Sequence, residues 1–218
     1  MALTRPKSLK DLALEHLRNS IIDGTLPMGK TLSERSISEE LGVSKSPVRE
    51  AFAQLRDEGL VIIEPQKGAH VFELSDSEVE QICDFREAIE MAAFELSLKR
   101  NRSNLARDME NVVEEMKESQ DQGNTKKYLE LDTAFHQLIF KHAENIYLSA
   151  SYKRYVGKIA ALRTHLSVLP KHTELSFKEH IDISSAIRRE DLDRIRSCLL
   201  YTSPSPRDAT LSRMPSSA

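Results

Sequence analysis

The sequence predicts a mainly α-helical chain in two parts: three short helices closed by a β-hairpin, then an all-α bundle whose last helix is cut short. Three observations carry that expectation. Apolar residues recur at three- and four-residue steps through most of the 218 residues, the pattern of amphipathic helices. One pair of short apolar runs, residues 60 to 63 and 69 to 74, flanks the turn-forming string Glu64-Pro65-Gln66-Lys67-Gly68, as in a hairpin. From residue 201 onward the chain carries three prolines and many serines, which cannot continue a helix.

The elements follow in order. Leu9, Leu12, Ala13, Leu17, Ile21 and Ile22 share one face of a first helix, and Asp23-Gly24-Thr25-Leu26-Pro27-Met28-Gly29 stops it. A second helix of about two turns runs from Ser33 to Leu41, with Ile37 and Leu41 inward and Gly42 where a C-terminal glycine belongs. The third starts at Ser44-Lys45-Ser46-Pro47, a serine cap followed by a proline in the first turn. Its buried stripe is Val48, Phe52 and Leu55, which leaves Lys45, Ser46, Arg49 and Gln54 pointing elsewhere. Gly59 ends it, and the hairpin with its basic tip follows.

The remainder reads as helical. Ser75 and Glu78 stand at capping-box spacing ahead of Val79, Ile82, Cys83, Arg86, Ile89, Glu90 and Ala93. Further helices are expected at 105–116, 128–142, 146–166 and 176–188, with breaks at Gln122-Gly123-Asn124, near Asn145 and at Leu169-Pro170-Lys171. Asp191, Leu192, Ile195 and Leu199 begin another. The string after it resembles translated adapter or vector sequence more than a natural domain end. On that reading the native frame is lost near Cys198 and part of the bundle core is exposed; a native disordered tail is the alternative. The expected domains are therefore 1–74, 75–200 and a disordered, non-native tail at 201–218.

Composition narrows the function classes. With 31 Lys and Arg against 34 Asp and Glu, the net charge of −3 argues against indiscriminate coating of nucleic acid but leaves room for a local basic face. Two cysteines without a CxxC pair suit a reducing compartment. No run approaches the roughly 18 to 20 apolar residues that span a bilayer, and the opening MALTRPKSLK lacks a signal peptide's apolar core. The expected location is the cytoplasm, with no membrane partner.

Three short helices and a hairpin are the order of a winged helix-turn-helix, in which the third helix enters the major groove and the wing lies along a neighbouring groove or backbone. Residues 44 to 56 have the two faces this needs, one apolar and one polar. Leu32-Ser33-Glu34-Arg35, Leu41-Gly42-Val43-Ser44-Lys45-Ser46-Pro47-Val48-Arg49-Glu50-Ala51, Leu55-Arg56-Asp57-Glu58-Gly59-Leu60-Val61 and Gly68-Ala69-His70-Val71 together resemble the GntR family of bacterial transcription regulators. The resemblance implies DNA contacts by Arg35, Lys45 and Arg49, and close backbone approach at Gly68. The family more often has arginine at the position of Lys45. A lysine neutralises phosphate but lacks the bidentate fork that reads guanine, so Arg49 is the stronger candidate for base selection. Ser44 and Ser46 are either phosphate contacts or helix caps, and Arg56 reads as a surface or ion-pair residue.

In the second part, Asp132 and His136 stand four residues apart, one turn along a helix face. A carboxylate and an imidazole so placed can grip a divalent metal, though the same pair is often only a surface contact. Glu179-His180 offers a third ligand from another helix. With Arg86-Glu87-Ala88-Ile89-Glu90, Asp132-Thr133-Ala134-Phe135-His136, Glu179-His180-Ile181 and Ala186-Ile187, this region resembles the FCD ligand-sensing domain of the FadR-type branch of that family. The resemblance implies that Asp132, His136 and His180 bind zinc, manganese or nickel, together with a histidine of the last helix. That histidine would fall near Thr202, where this sequence has none, so the site is expected to have three ligands.

Three ligands and an open position also describe a catalytic zinc centre. A general base, a nucleophile pair and a phosphate loop are all missing, so the expectation is a non-enzyme, with a DNA-targeted metal-dependent hydrolase as the alternative. Arg86 is either a clamp on an effector carboxylate or the intrahelical partner of Glu90. His70, His142, His165 and His172 are expected to be surface or partly buried, with His165 a candidate to line a cavity. Phe135, Phe140, Tyr152 and Tyr155 read as core or interface, and Lys153-Arg154 as a solvated face. The whole is expected to be a homodimer that reads a pseudo-palindromic double-stranded operator and senses a small organic acid. A metal-free effector pocket is the variant of that reading.

Overall fold

The computed structural model describes residues 7–169 and 171–201. The chain divides into two compact units between Glu73 and Leu74.

In the first unit, α1 (Leu9–Ile22), α2 (Glu34–Leu41) and α3 (Lys45–Asp57) combine with β1 (Thr31–Leu32), β2 (Val61–Glu64) and β3 (Gly68–Val71). Ser8 caps α1 in a reciprocal box with Asp11, and Gly42 ends α2 in the left-handed conformation at φ 65, which costs a glycine no Cβ clash. Helix α1 packs on α3, and Leu17, Ile21, Val48, Phe52, Leu55, Val71 and Phe72 fill the core. Each such side chain contributes about 1.5–3 kcal/mol on burial.

The sheet has order β1-β3-β2, antiparallel throughout. The hairpin was legible, but the third strand was not: two residues, Thr31 and Leu32, pair with His70 and Ala69, too short a run to leave a periodic signal. The second hairpin strand ends at Val71 instead of residue 74 because its partner begins at Val61.

The second unit is helical: α4 (Asp76–Asp121), α5 (Thr125–Ala143), α6 (Ile146–Leu166), α7 (His172–Arg189) and α8 (Leu192–Tyr201). The expected capping box is present, with the Ser75 side chain accepting from the Glu78 N–H and Glu78 accepting from the Ser75 N–H. The two helices expected at 79–93 and 105–116 are one run, bent at Asn101 where φ is −143 and ψ 33. There the Asn101 side-chain amide donates to Glu144 Oε1 at 2.7 Å, and Arg100 donates to the carbonyls of Ala143 and Glu144. The bend thus satisfies carbonyls that the C-terminus of α5 leaves over. Helix α7 begins at His172, a turn earlier than expected.

Phe94, Leu105, Met109, Phe135, Ile139, Ile183 and Ile187 form the core, closed by Ile195, Cys198 and Leu199 of α8. The tail expected from 201 lies, beyond the backbone of Tyr201, outside the described residues. Among those described, no helix is long and apolar enough to cross a membrane.

Candidate DNA-reading face and candidate metal centre

In the first unit, burial of Val48, Ala51, Phe52 and Leu55 fixes which side of α3 faces outward. Lys45, Ser46 and Arg49 are exposed on it, as are Ser44 at its start, Arg35 on α2 and Gly68 on the hairpin. Arg49 Nη2 reaches Glu34 Oε2 at 2.9 Å and Nε reaches Oε1 at 3.1 Å, and these bonds hold the Glu34 carboxyl below its usual range. Arg35 pairs with Glu39 one turn on, at 2.8 Å. A groove of about 430 Å³ lies between α3 and the hairpin, bordered by Glu34, Arg49, Arg56, Ile63 and Gly68. Gly68 has φ 89, a conformation that side chains resist.

Ser44 occupies the cap position of α3 but makes no side-chain capping hydrogen bond. Ser44 is thus the cap residue by position and by its extended backbone, at φ −72 and ψ 166, and begins the helix without a capping bond from its hydroxyl. Ser46 donates to Glu50 at 3.3 Å, and Arg56 pairs with Asp57 at 2.9 Å.

In the second unit, α5 and α7 bring Asp132, His136 and His180 together, one ligand atom of each lying within 4.8 Å of the others. All three are buried. Around them stand Arg86 and Glu90 from α4, and Arg163 from α6. His136 Nδ1 is 3.0 Å from Glu90 Oε2; the carboxylate can only accept, so Nδ1–H donates and Nε2 carries the lone pair. Arg86 Nη2 donates to that lone pair at 3.2 Å, while Arg86 Nε donates to Glu90 Oε1 at 2.9 Å. Of the two readings of Arg86, the intrahelical pair with Glu90 is present, and Arg86 also lines the cavity beside Asp132.

His180 Nδ1–H donates to the Ser176 carbonyl at 2.6 Å. Its Nε2 then carries a lone pair, has no hydrogen-bond partner, and faces Asp132 Oδ2 at 3.6 Å. Two acceptors facing each other in a dry interior repel unless a cation or proton lies between them. Arg163 Nη1 is 2.6 Å from Asp132 Oδ1 but out of line for a hydrogen bond, so both atoms remain unsatisfied.

Burial pushes the His136 imidazole down to about 3, despite Glu90, and lowers His180 as well. Burial also works to raise the Asp132 and Glu90 carboxyls, but Arg163 and the histidines outweigh it for Asp132, and Arg86 and His136 for Glu90, which stands at about 2. Neutral imidazoles and an ionised carboxylate are the protonation states in which these side chains ligate metal. The orphaned His180 Nε2 opposite a carboxylate is what a bound cation would satisfy, so the donor set fits a divalent ion, with Glu90 orienting His136 from behind.

The cavity beside the cluster has a volume of about 10 Å³, lined by Arg86, Tyr128, Asp132, His136, Arg163 and His172 among others, the room of roughly one water. His172 lines it; His165, the sequence's candidate, does not. His142 is buried and paired with Asp108 at 2.9 Å. Sequence reasoning missed Arg163. Its signal was available: Tyr152, Ile159, Arg163 and Leu166 lie on one buried face of α6, an arginine in an apolar stripe.

Comparison with known proteins agrees with both units. Residues 9–71 match the model of bacterial regulatory proteins of the gntR family, and residues 81–201 match the FCD domain. The HTH-type transcriptional repressor RspR of Escherichia coli is 28% identical over 192 residues, 84% of this chain and 80% of the relative. The gluconate operon transcriptional repressor of Bacillus subtilis is 33% identical over 132 residues, 61% of this chain and 54% of the relative. The fold matches a GntR transcriptional regulator from a Rhodococcus species at TM-score 0.80, with 19% identity over 95% of this chain and 100% of the other. Escherichia coli McbR/YncC matches at TM-score 0.77, with 18% identity over 95% and 98%. RspR and the gluconate operon protein are transcriptional repressors, and the Rhodococcus protein is a transcriptional regulator. The chain belongs to the GntR family of bacterial DNA-binding transcription regulators and carries an FCD domain.

Proposed function

We propose that this regulator changes its affinity for operator DNA when a small carboxylate metabolite enters the helical unit, held there with a divalent metal on Asp132, His136 and His180. The observation that carries the reading is the buried His180 Nε2, without a partner and 3.6 Å from a carboxylate oxygen of Asp132. When bound, the metal supplies a Lewis-acidic charge that polarises or ligates the carboxylate. Glu90 fixes the tautomer and orientation of His136, and the Ser176 carbonyl does the same for His180.

On the DNA side, Arg49 reads bases, Lys45 and Arg35 neutralise phosphate or reach base edges, Ser44 and Ser46 contact the backbone, and Gly68 lets the wing approach it. A homodimer presents two such faces to a pseudo-palindromic site. The effector acts through a difference in its affinity for the two states of the protein.

The test combines metal analysis of the purified chain with fluorescence anisotropy on DNA from upstream of its own gene and on scrambled DNA, at matched salt, with a panel of organic acids. Selective binding that an acid shifts, with the shift lost in Asp132→Ala, supports the reading; an operator affinity that no acid changes overturns it. A second reading, a metal-free pocket, has its own support, because Arg163 and Arg86 already bring positive charge to Asp132 and His136. It predicts the same acid response from protein that contains no metal.

A further inference from the structure

Four formal charges are buried around the candidate metal centre: Arg86 and Arg163 against Glu90 and Asp132, each under a tenth exposed. With both histidines neutral, they cancel. A dication added to this set leaves two positive charges uncompensated in a low-dielectric interior, which is costly. The places a metal would take on two ligands are also already met by guanidinium groups, Arg86 Nη2 on His136 Nε2 at 3.2 Å and Arg163 Nη1 on Asp132 Oδ1 at 2.6 Å.

The two arginines are not equally tied. Arg86 is hydrogen-bonded through Nε to Glu90 on its own helix, whereas Arg163 has neither Nη atom in a hydrogen bond. Tyr152, on the same helix as Arg163 and near enough to feel its charge, likewise has a buried hydroxyl with no partner. A guanidinium fork and a phenol O–H with unspent donors are the groups that bind a carboxylate.

We infer that Arg163 is an exchangeable internal cation: it stands against Asp132 in place of a metal, and on metal entry it turns from Asp132 to the carboxylate of the effector. The inference rests on the metal reading above and adds the effector's second anchor. It also accounts for a cavity of only about 10 Å³, since a carboxylate gains its room when the Arg163 side chain moves. Arg163 thereby makes metal and carboxylate binding interdependent: without the acid, the displaced guanidinium remains buried, charged and unpaired.

The test titrates Zn²⁺ into the full-length chain against a competing chelator, for wild type, Arg163→Gln and Asp132→Asn, after circular dichroism establishes equal helicity. Fluoroacetate is then added as the carboxylate probe and followed by fluorine NMR. The expected result is Zn²⁺ bound roughly ten-fold more tightly by Arg163→Gln than by wild type, with fluoroacetate binding to the Zn²⁺-loaded protein lost in that variant. Arg163→Lys keeps the charge and serves if the glutamine variant misfolds; it should bind Zn²⁺ as wild type does but hold fluoroacetate more weakly.

Zn²⁺ affinity unchanged or weakened in Arg163→Gln, with Asp132→Asn losing the metal, overturns this inference and leaves the metal site standing. Zn²⁺ bound by Arg163→Gln but not by wild type overturns the exchange, since the native arginine then never yields to the metal, and defeats the metal reading of the native chain as well. Zn²⁺ bound by none of them defeats both.

Discussion

The two units keep the arginines for which a function is proposed in opposite conditions. In the DNA-reading unit, Arg49 and Arg35 lie on the surface, each paired with one acidic neighbour, Glu34 and Glu39. In the helical unit, Arg86 and Arg163 are buried with Glu90 and Asp132 in one mutually balanced cluster. Exposed pairs exchange partners cheaply because water screens both ends, which suits a face that must trade a carboxylate for phosphate and base edges. A buried cluster admits a new charge only by moving an old one, which suits a sensor.

That contrast can be broken most directly by deleting one acid from each unit. Glu90→Ala removes the carboxylate that pairs with buried Arg86 and accepts from His136, so the helical unit should lose about 3–5 kcal/mol, the usual cost of breaking a buried ion pair by removing one side. Glu34→Ala, in an exposed pair, should leave the unfolding midpoint unchanged. Urea denaturation followed by circular dichroism measures both, and equal effects would erase the distinction between the units.

The same contrast explains what was legible in the sequence. The helix-turn-helix is built from signals a few residues apart: Gly42 as a left-handed stop, Pro47 in a first turn, and the stripe Val48, Phe52, Leu55 that leaves Arg49 outward. Capping by Ser75 and Glu78 was equally local. The pair Asp132 and His136 could be read because one turn joins them, and Glu179-His180 offered a third ligand candidate on another helix, whose meeting with that pair only the family resemblance implied. Glu90 was visible as a partner of Arg86, but its bond to His136 spans 46 residues and the approach of Arg163 to Asp132 joins two helices. No local spacing encodes such meetings. The strand at Thr31 and Leu32 was hidden for the same reason, since it exists only through pairing with β3.

On the exposed side, the largest expected effect is on recognition rather than on folding. Arg49→Ala should leave helicity intact and cut the preference for operator over scrambled DNA by roughly ten- to hundred-fold, the value of one good base contact. Anisotropy at matched salt checks this, and unchanged discrimination would remove Arg49 from base readout.

A smaller effect, within the helical unit, should appear with pH. The His136 pKa is depressed by burial from 6.5 to about 3, so the folded state binds fewer protons there than the unfolded state. Its contribution is complete above pH 6.5 and is lost as pH falls toward 3. Glu179 runs the other way: burial raises its carboxyl to about 7, so its contribution is present below 4.5 and is lost as pH rises through 7. Glu179→Gln should therefore flatten the fall in melting temperature between pH 5 and pH 8 while leaving the acid limb in place. A pH series of thermal melts reads both limbs, and an unaltered neutral limb in the variant would mean that Glu179 titrates normally.

The finest distinction concerns two serines at helix starts. Ser75 accepts a hydrogen bond from the Glu78 N–H, so Ser75→Ala should cost about 1 kcal/mol, as loss of a cap does. Ser44 stands at the same position of α3 with no such bond, so Ser44→Ala should leave stability unchanged. If that hydroxyl meets a phosphate, the substitution should instead weaken binding to operator and scrambled DNA by the same few-fold factor, because a phosphate contact carries no sequence information. A loss confined to the operator would place Ser44 against a base edge, and a loss of stability equal to that of Ser75→Ala would restore it as a cap. The hydroxyl is free of a capping bond at the N-terminus of α3, where an anion is favoured, so a phosphate contact by Ser44 would cost the fold no capping hydrogen bond.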